Sequence, residues 1–176
     1  MKRVLIAVFA LVLVFSAAAA ASDNVIRINF QDRDTPVLEG WYPDYHELFG
    51  PKENGLVYGW SKAETMTRNR GYTDNVLLAT MTHMRNSEVW EIELENGLWD
   101  VEVCIGDAWT STYKLQVEDV VFWDNLTLEN REWVIKSKTI EVTDGRLTLS
   151  PMDNEKWGTR ICYIIIKPTG AERLPE

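Results

Sequence analysis

The sequence predicts an all-β fold, a two-sheet antiparallel β-sandwich or jelly roll. Apolar and polar residues alternate along short windows, as in half-buried strands. Asn-Gly and Asp-Gly pairs punctuate the chain between those windows and supply hairpin turns. No window keeps a helical period for three turns.

The first element is not a strand. The opening MKRVLIAVFALVLVFSAAAAAS has two basic residues, an apolar run and a small-residue end, the pattern of a secretory signal peptide over residues 1–21. Ala19 and Ala21 supply the small residues at the expected cleavage point. The mature chain is then secreted or periplasmic, with no membrane contact after removal of the leader. A sandwich domain is expected over residues 22–168, followed by a tail over 169–176.

Residues 25–30 (VIRINF) alternate and form the first strand, and a polar loop rich in Asp, Pro and Gly follows over 31–54. Residues 76–84 are apolar enough for a fully buried strand. Residues 89–94 (VWEIEL) place Trp90, Ile92 and Leu94 on one face, and the Glu95-Asn96-Gly97 turn leads to a return strand over 98–105. Residues 113–117 and 120–123 form a pair around Glu118-Asp119, with Asn125 in the turn after Trp123. The stretch 133–142 turns at Thr143-Asp144-Gly145 into 146–150 (RLTLS). Residues 161–167 (ICYIIIK) close the sheet, and Pro168 stops them.

Charge narrows the partners. The chain carries 18 lysines and arginines against 27 aspartates and glutamates, a net −9, and loses Lys2 and Arg3 with the leader. Such a field repels phosphate backbones, so nucleic acid is not an expected partner. Export permits a disulfide between Cys104 and Cys162. By alternation Cys104 shares a face with Asp100 and Glu102, whereas Cys162 shares one with Ile164 and Ile166. A bulge resets that parity, so a bond and two buried thiols both stay open.

Catalytic patterns are absent from the sequence. His46 and His83 are isolated, and there is no paired zinc spacing, nucleophile elbow or phosphate loop. The carboxylates of Glu91, Glu93 and Glu102 alternate with apolar residues and read as a solvated sheet face. No cofactor is expected beyond a structural calcium, for which Asp107, Asp119, Asp124 and Asp153 offer oxygens near strand ends. The eight tryptophans are more informative. Trp90 and Trp99 alternate with core residues, but Trp109 and Trp157 lie in polar loops. Sugars stack their C–H faces on such rings while amides and charged groups bind their hydroxyls. Trp109 with Asp107, and Trp157 with Asn154, therefore form candidate carbohydrate contacts.

The motif order INFQ, GLVYGW, TRNRG, NGLWDVEVCIGD, TDGRLTLS and a final IIIKP resembles the galactose-binding-like modules. More narrowly it is similar to the malectin-like and family-35-like carbohydrate-binding modules, which accompany bacterial polysaccharide lyases and esterases. The resemblance spans nearly the whole mature chain. It implies a non-catalytic module with a carbohydrate ligand, contacted by loops and by an asparagine before the last strand, the place of Asn154. It implies a mainly architectural first corner for Trp60 and one arginine, although Trp60 and Arg68 join the candidate binding set. A module of this kind that has lost sugar binding would instead serve a protein partner.

Overall fold

The computed structural model describes residues 25–63, 66–85, 87–152 and 158–170. Along the chain run β1 (Ile26–Phe30), β2 (Tyr42–Asp44), β3 (Gly50–Pro51), β4 (Val57–Trp60) and β5 (Thr67–Asn69). A one-turn helix, α1 (Val76–Ala79), leads into β6 (Thr80–Met84), and β7 (Trp90–Glu93) follows. The longer strands are β8 (Gly97–Asp107), β9 (Ser111–Val117), β10 (Val120–Leu128), β11 (Glu132–Val142), β12 (Arg146–Ser150) and β13 (Thr159–Pro168).

These strands form two sheets. One has the order β11-β8-β13-β1-β2, with β6 joined to β13 and β5 to β6; the other runs β10-β9-β12-β7-β4-β3. Pairing is antiparallel except between β1 and β2. Ile26 lies opposite Ile166, and Pro168 lies opposite Trp99, so the start of β1 and the end of β13 share one rim.

The two-residue period explains the main core. Val101, Val103 and Ile105 of β8, Ile164 and Ile166 of β13, and Ile28 and Phe30 of β1 face inward from the first sheet. Tyr113, Leu115, Val117, Leu147, Leu149, Trp90 and Ile92 meet them from the second. Each such side chain stabilises the fold by roughly 1.5–3 kcal/mol through burial. Phe30 packs edge-on against Trp60 and Trp90, at 5.9 and 5.6 Å between ring centroids.

One carboxylate organises this aromatic corner. Asp44, at the end of β2, is buried and accepts the indole N–H groups of Trp60 and Trp90, each at 2.8 Å, and the His46 backbone N–H at 2.8 Å. His46 has φ +59° and stacks on Trp60 with 4.1 Å between centroids and 6° between planes. Its Nδ1 lies 2.7 Å from Thr82 Oγ1, and its Nε2 3.4 Å from a Glu88 oxygen.

A second apolar cluster covers the outer face of the first sheet. Met81, Cys104, Cys162 and Tyr163 pack there with Trp41, Leu77, Leu78, Trp133 and Ile165. Residues 76–84 depart here from the single strand expected. Asn75 caps α1 by accepting the Leu77 N–H at 3.1 Å, and Thr80 begins β6 after one turn. A short apolar run does not by its period separate a buried strand from a buried helical turn. The loop expected over 31–54 likewise contains β2 and β3, too short to show alternation.

The two sheets meet along β10 and β11. Lys136 Nζ donates to the Phe122 carbonyl, and Lys138 Nζ donates to that of Val121 at 2.9 Å. Both ammonium groups lie over aromatic rings, Lys136 5.4 Å from Trp123 and Lys138 5.8 Å from Phe122. Trp123 itself is buried. Asn125 is not in a turn after the strand. It is an exposed residue inside β10, where the register shifts between Trp123 and Leu126, with φ +56°. Asparagine tolerates this left-handed conformation better than most residues.

Candidate functional site

β8 ends at Gly106-Asp107 and turns through Ala108, Trp109 and Thr110 into β9. Gly106 has φ +156°, and a Cβ there would lie 2.3 Å from Trp133 Cδ1. Glycine thus lets β11 press its tryptophan onto the strand end.

Asp107 is buried and forms the hub of this rim. Arg70 donates to it through both Nε (2.9 Å) and a terminal nitrogen (3.1 Å), a bidentate pair. The Ala108 backbone N–H donates to the same carboxylate at 2.6 Å, and Arg160 Nε lies 3.7 Å from its second oxygen. The site thus joins the segment after β5, the end of β8 and the start of β13.

The β10–β11 turn completes the rim. Thr110 donates its backbone N–H to Asn130 Oδ1 at 2.7 Å and its hydroxyl to Glu129 at 3.0 Å. The Arg131 backbone N–H donates to the Asp107 carbonyl at 3.1 Å, and its guanidinium covers the Tyr72 ring at 4.7 Å. Two aromatic rings stand in solvent here, Trp109 at 55% exposure and Tyr72 at 45%. The Tyr113 hydroxyl is buried without a hydrogen-bond partner among the described residues. Burial pushes the Tyr113 phenol up, opposed by Arg160 and reinforced by Asp107.

The expected contacts separate. Trp109 is exposed on the turn where it was expected. Asp107 belongs to the same turn, but its oxygens face two arginines and a backbone N–H, which makes it an anchor for those donors. Trp60 is corrected: it is fully buried, and its indole N–H is committed to Asp44, so it touches no external ligand. The alternation of Tyr58 and Trp60 in VYGW already carried that signal. Arg68 sits half-buried in β5 opposite Met81 and donates to the Thr67 carbonyl at 2.7 Å. Asn154 and Trp157 lie outside the described residues, as does Asp153. Cys104 and Cys162 are both buried and share the outer cluster of the first sheet. Tyr72, Arg70, Arg131 and Arg160 enter the rim only through tertiary convergence, which sequence spacing does not reveal.

Among the described residues no three His, Cys, Asp or Glu side chains come together to hold a metal, and Asp119 and Asp124 are exposed. No helix among them is long and apolar enough to cross a membrane.

The two-sheet sandwich has the galactose-binding-like fold. No protein-family model and no curated protein matches the chain. Solved structures do. The protein YxiM of Bacillus subtilis matches with a TM-score of 0.60 and 18% identity, over 86% of this chain and 42% of that one. A structure of the plant peptide RALF23 in complex with FER and LLG2 matches with a TM-score of 0.57 and 15% identity, over 85% and 41%. The ANXUR2 extracellular domain of Arabidopsis thaliana matches with a TM-score of 0.57 and 12% identity, over 82% and 41%. The chain thus spans about two-fifths of the length of each. Likeness at this identity establishes the fold, which hosts many functions.

Proposed function

We propose that this protein is an exported, non-catalytic carbohydrate-binding module for a polysaccharide or cell-wall glycan. The exposed Trp109 ring carries the reading. It stands on a turn held from both sides, beside guanidinium groups that Asp107 fixes in place. A flat ring supplies stacking area, and fixed N–H donors match sugar hydroxyls, the combination a shallow glycan site uses. Asp107 acts here by positioning Arg70 and Arg160. Asn154 and Trp157, on the connection before β13, complete the proposed contact set.

Affinity for such an open site is expected to be weak, roughly micromolar to millimolar. Affinity gel electrophoresis against plant and bacterial polysaccharides provides the test. Retardation by at least one polysaccharide, reduced roughly tenfold or more in Trp109→Ala and Trp157→Ala, is the expected outcome. Retardation unchanged in both variants would remove those rings from the site.

The second reading, an extracellular protein-interaction module, draws on the same surface. Tyr, Trp and Arg are the residue types that dominate protein interfaces. Tyr72, Trp109 and Arg131 share this rim. Capture of one specific protein by the wild type but not by Trp109→Ala, with no polysaccharide retarding the protein, would favour that reading.

A further inference from the structure

We propose that Cys104 and Cys162 form a disulfide that ties β8 to β13 in the mature protein. Its oxidising surroundings come from the export reading above, whereas its geometry comes from strand register. β13 pairs with β8 so that Ile161 faces Ile105 and Tyr163 faces Cys104, leaving Cys162 as the extra residue at a bulge. Simple alternation from Ile164 and Ile166 would send Cys162 into the main core. The bulge turns it instead to the outer face, into the cluster that holds Cys104.

Both side chains are fully buried there. Cys162 Sγ lies 3.6 Å from the Gly106 carbonyl, and Cys104 Sγ lies 4.0 Å from that of Ile105, so the thiols sit over adjacent peptides of one strand. At such a bulge two residues of one strand oppose one of the partner, so Cys162 stands with Tyr163 against the Cys104–Ile105 step of β8, neighbouring backbone of the kind a disulfide bridges. Burial, followed by the neighbouring Cys104 thiol, pushes the Cys162 thiol well above its ordinary value.

That environment also dictates when the bond forms. Exchange needs a thiolate with access to a second disulfide, and the folded cluster disfavours both. The bond therefore closes during folding, while β8 and β13 are still reachable. One thiolate attacks a sulfur of an external disulfide, such as oxidised glutathione, and releases one thiol. The second thiolate then displaces the other half from the mixed disulfide. The pair loses two protons and two electrons, and the external disulfide is reduced to two thiols.

The experiment has two arms. In the first, the protein is collected outside the producing cell, denatured with an alkylating reagent and weighed with and without prior reduction. The expected result is no alkylation without reductant, two alkyl groups after it, and a Tm lowered on the order of 10 °C by reduction. In the second, reduced unfolded chain is refolded in a series of glutathione redox buffers and analysed in the same way. Thiols open in the first arm but closed in the second would reject the export reading and keep the cross-link. Thiols alkylated in both arms would overturn the cross-link itself. The Cys104→Ala/Cys162→Ala variant should lose the reductant-dependent Tm shift, whatever its own stability.

Discussion

Asp44 shows how one side chain can hold a corner of a fold. Its two oxygens accept both buried indoles. Asp44→Ala leaves two buried donors unpaired, at about 1–3 kcal/mol each, so a loss of roughly 2–6 kcal/mol is expected in urea unfolding. Burial is the largest influence on the carboxyl and raises it above 3.8, outweighing the donors that favour the charge. A carboxyl raised in the folded state contributes its stabilisation fully below the unfolded value and loses it as pH rises through the folded one. Asp44→Asn has no proton to exchange. Its penalty should therefore be largest near pH 4 and shrink as pH rises, and a penalty growing with pH in paired unfolding curves would contradict this assignment. Gly158 sets a different kind of limit. It has φ +55°, and a Cβ would lie 1.7 Å from the Met84 carbonyl oxygen. Gly158→Ala should cost more than about 3 kcal/mol in thermal unfolding, because backbone, not a flexible side chain, must move.

At the scale of elements, the strands legible in the sequence are those whose two faces meet different surroundings. WEIE and RLTLS alternate because one face is packed and the other more open, and VIRINF alternates although its polar Asn29 is itself buried; the structure places strands at all three. β2, β3 and β5 span two or three residues, so they offer no period, and only their partners make them strands. The candidate site divides in the same way. Trp109 was legible because a large apolar ring in a polar turn is locally anomalous. The Arg70–Asp107 pair joins residues 37 apart, and nothing local in either segment points to the other. The β10–β11 seam gives a prediction at this scale. Lys136→Ala/Lys138→Ala removes two charge-assisted bonds to β10 carbonyls and should cost about 1–3 kcal/mol. It also leaves two neighbouring sheet edges without their cations, so concentration-dependent association should appear in sedimentation velocity.

For the molecule as a whole, topology sets the folding rate. β1 pairs with β13 and β8 pairs with both β11 and β13, so the central sheet closes only after distant segments meet. Refolding followed by tryptophan fluorescence should take milliseconds to seconds, and microsecond refolding would contradict that topology. The rim shared by Ile26 and Pro168 has a practical consequence. β8 carries Trp99 at that rim and Asp107 at the opposite pole, about 26 Å away at the rise of an extended strand. A bead, a display scaffold or a fused partner attached at either end would thus hold the molecule by its foot, with the Trp109 turn held out toward whatever passes.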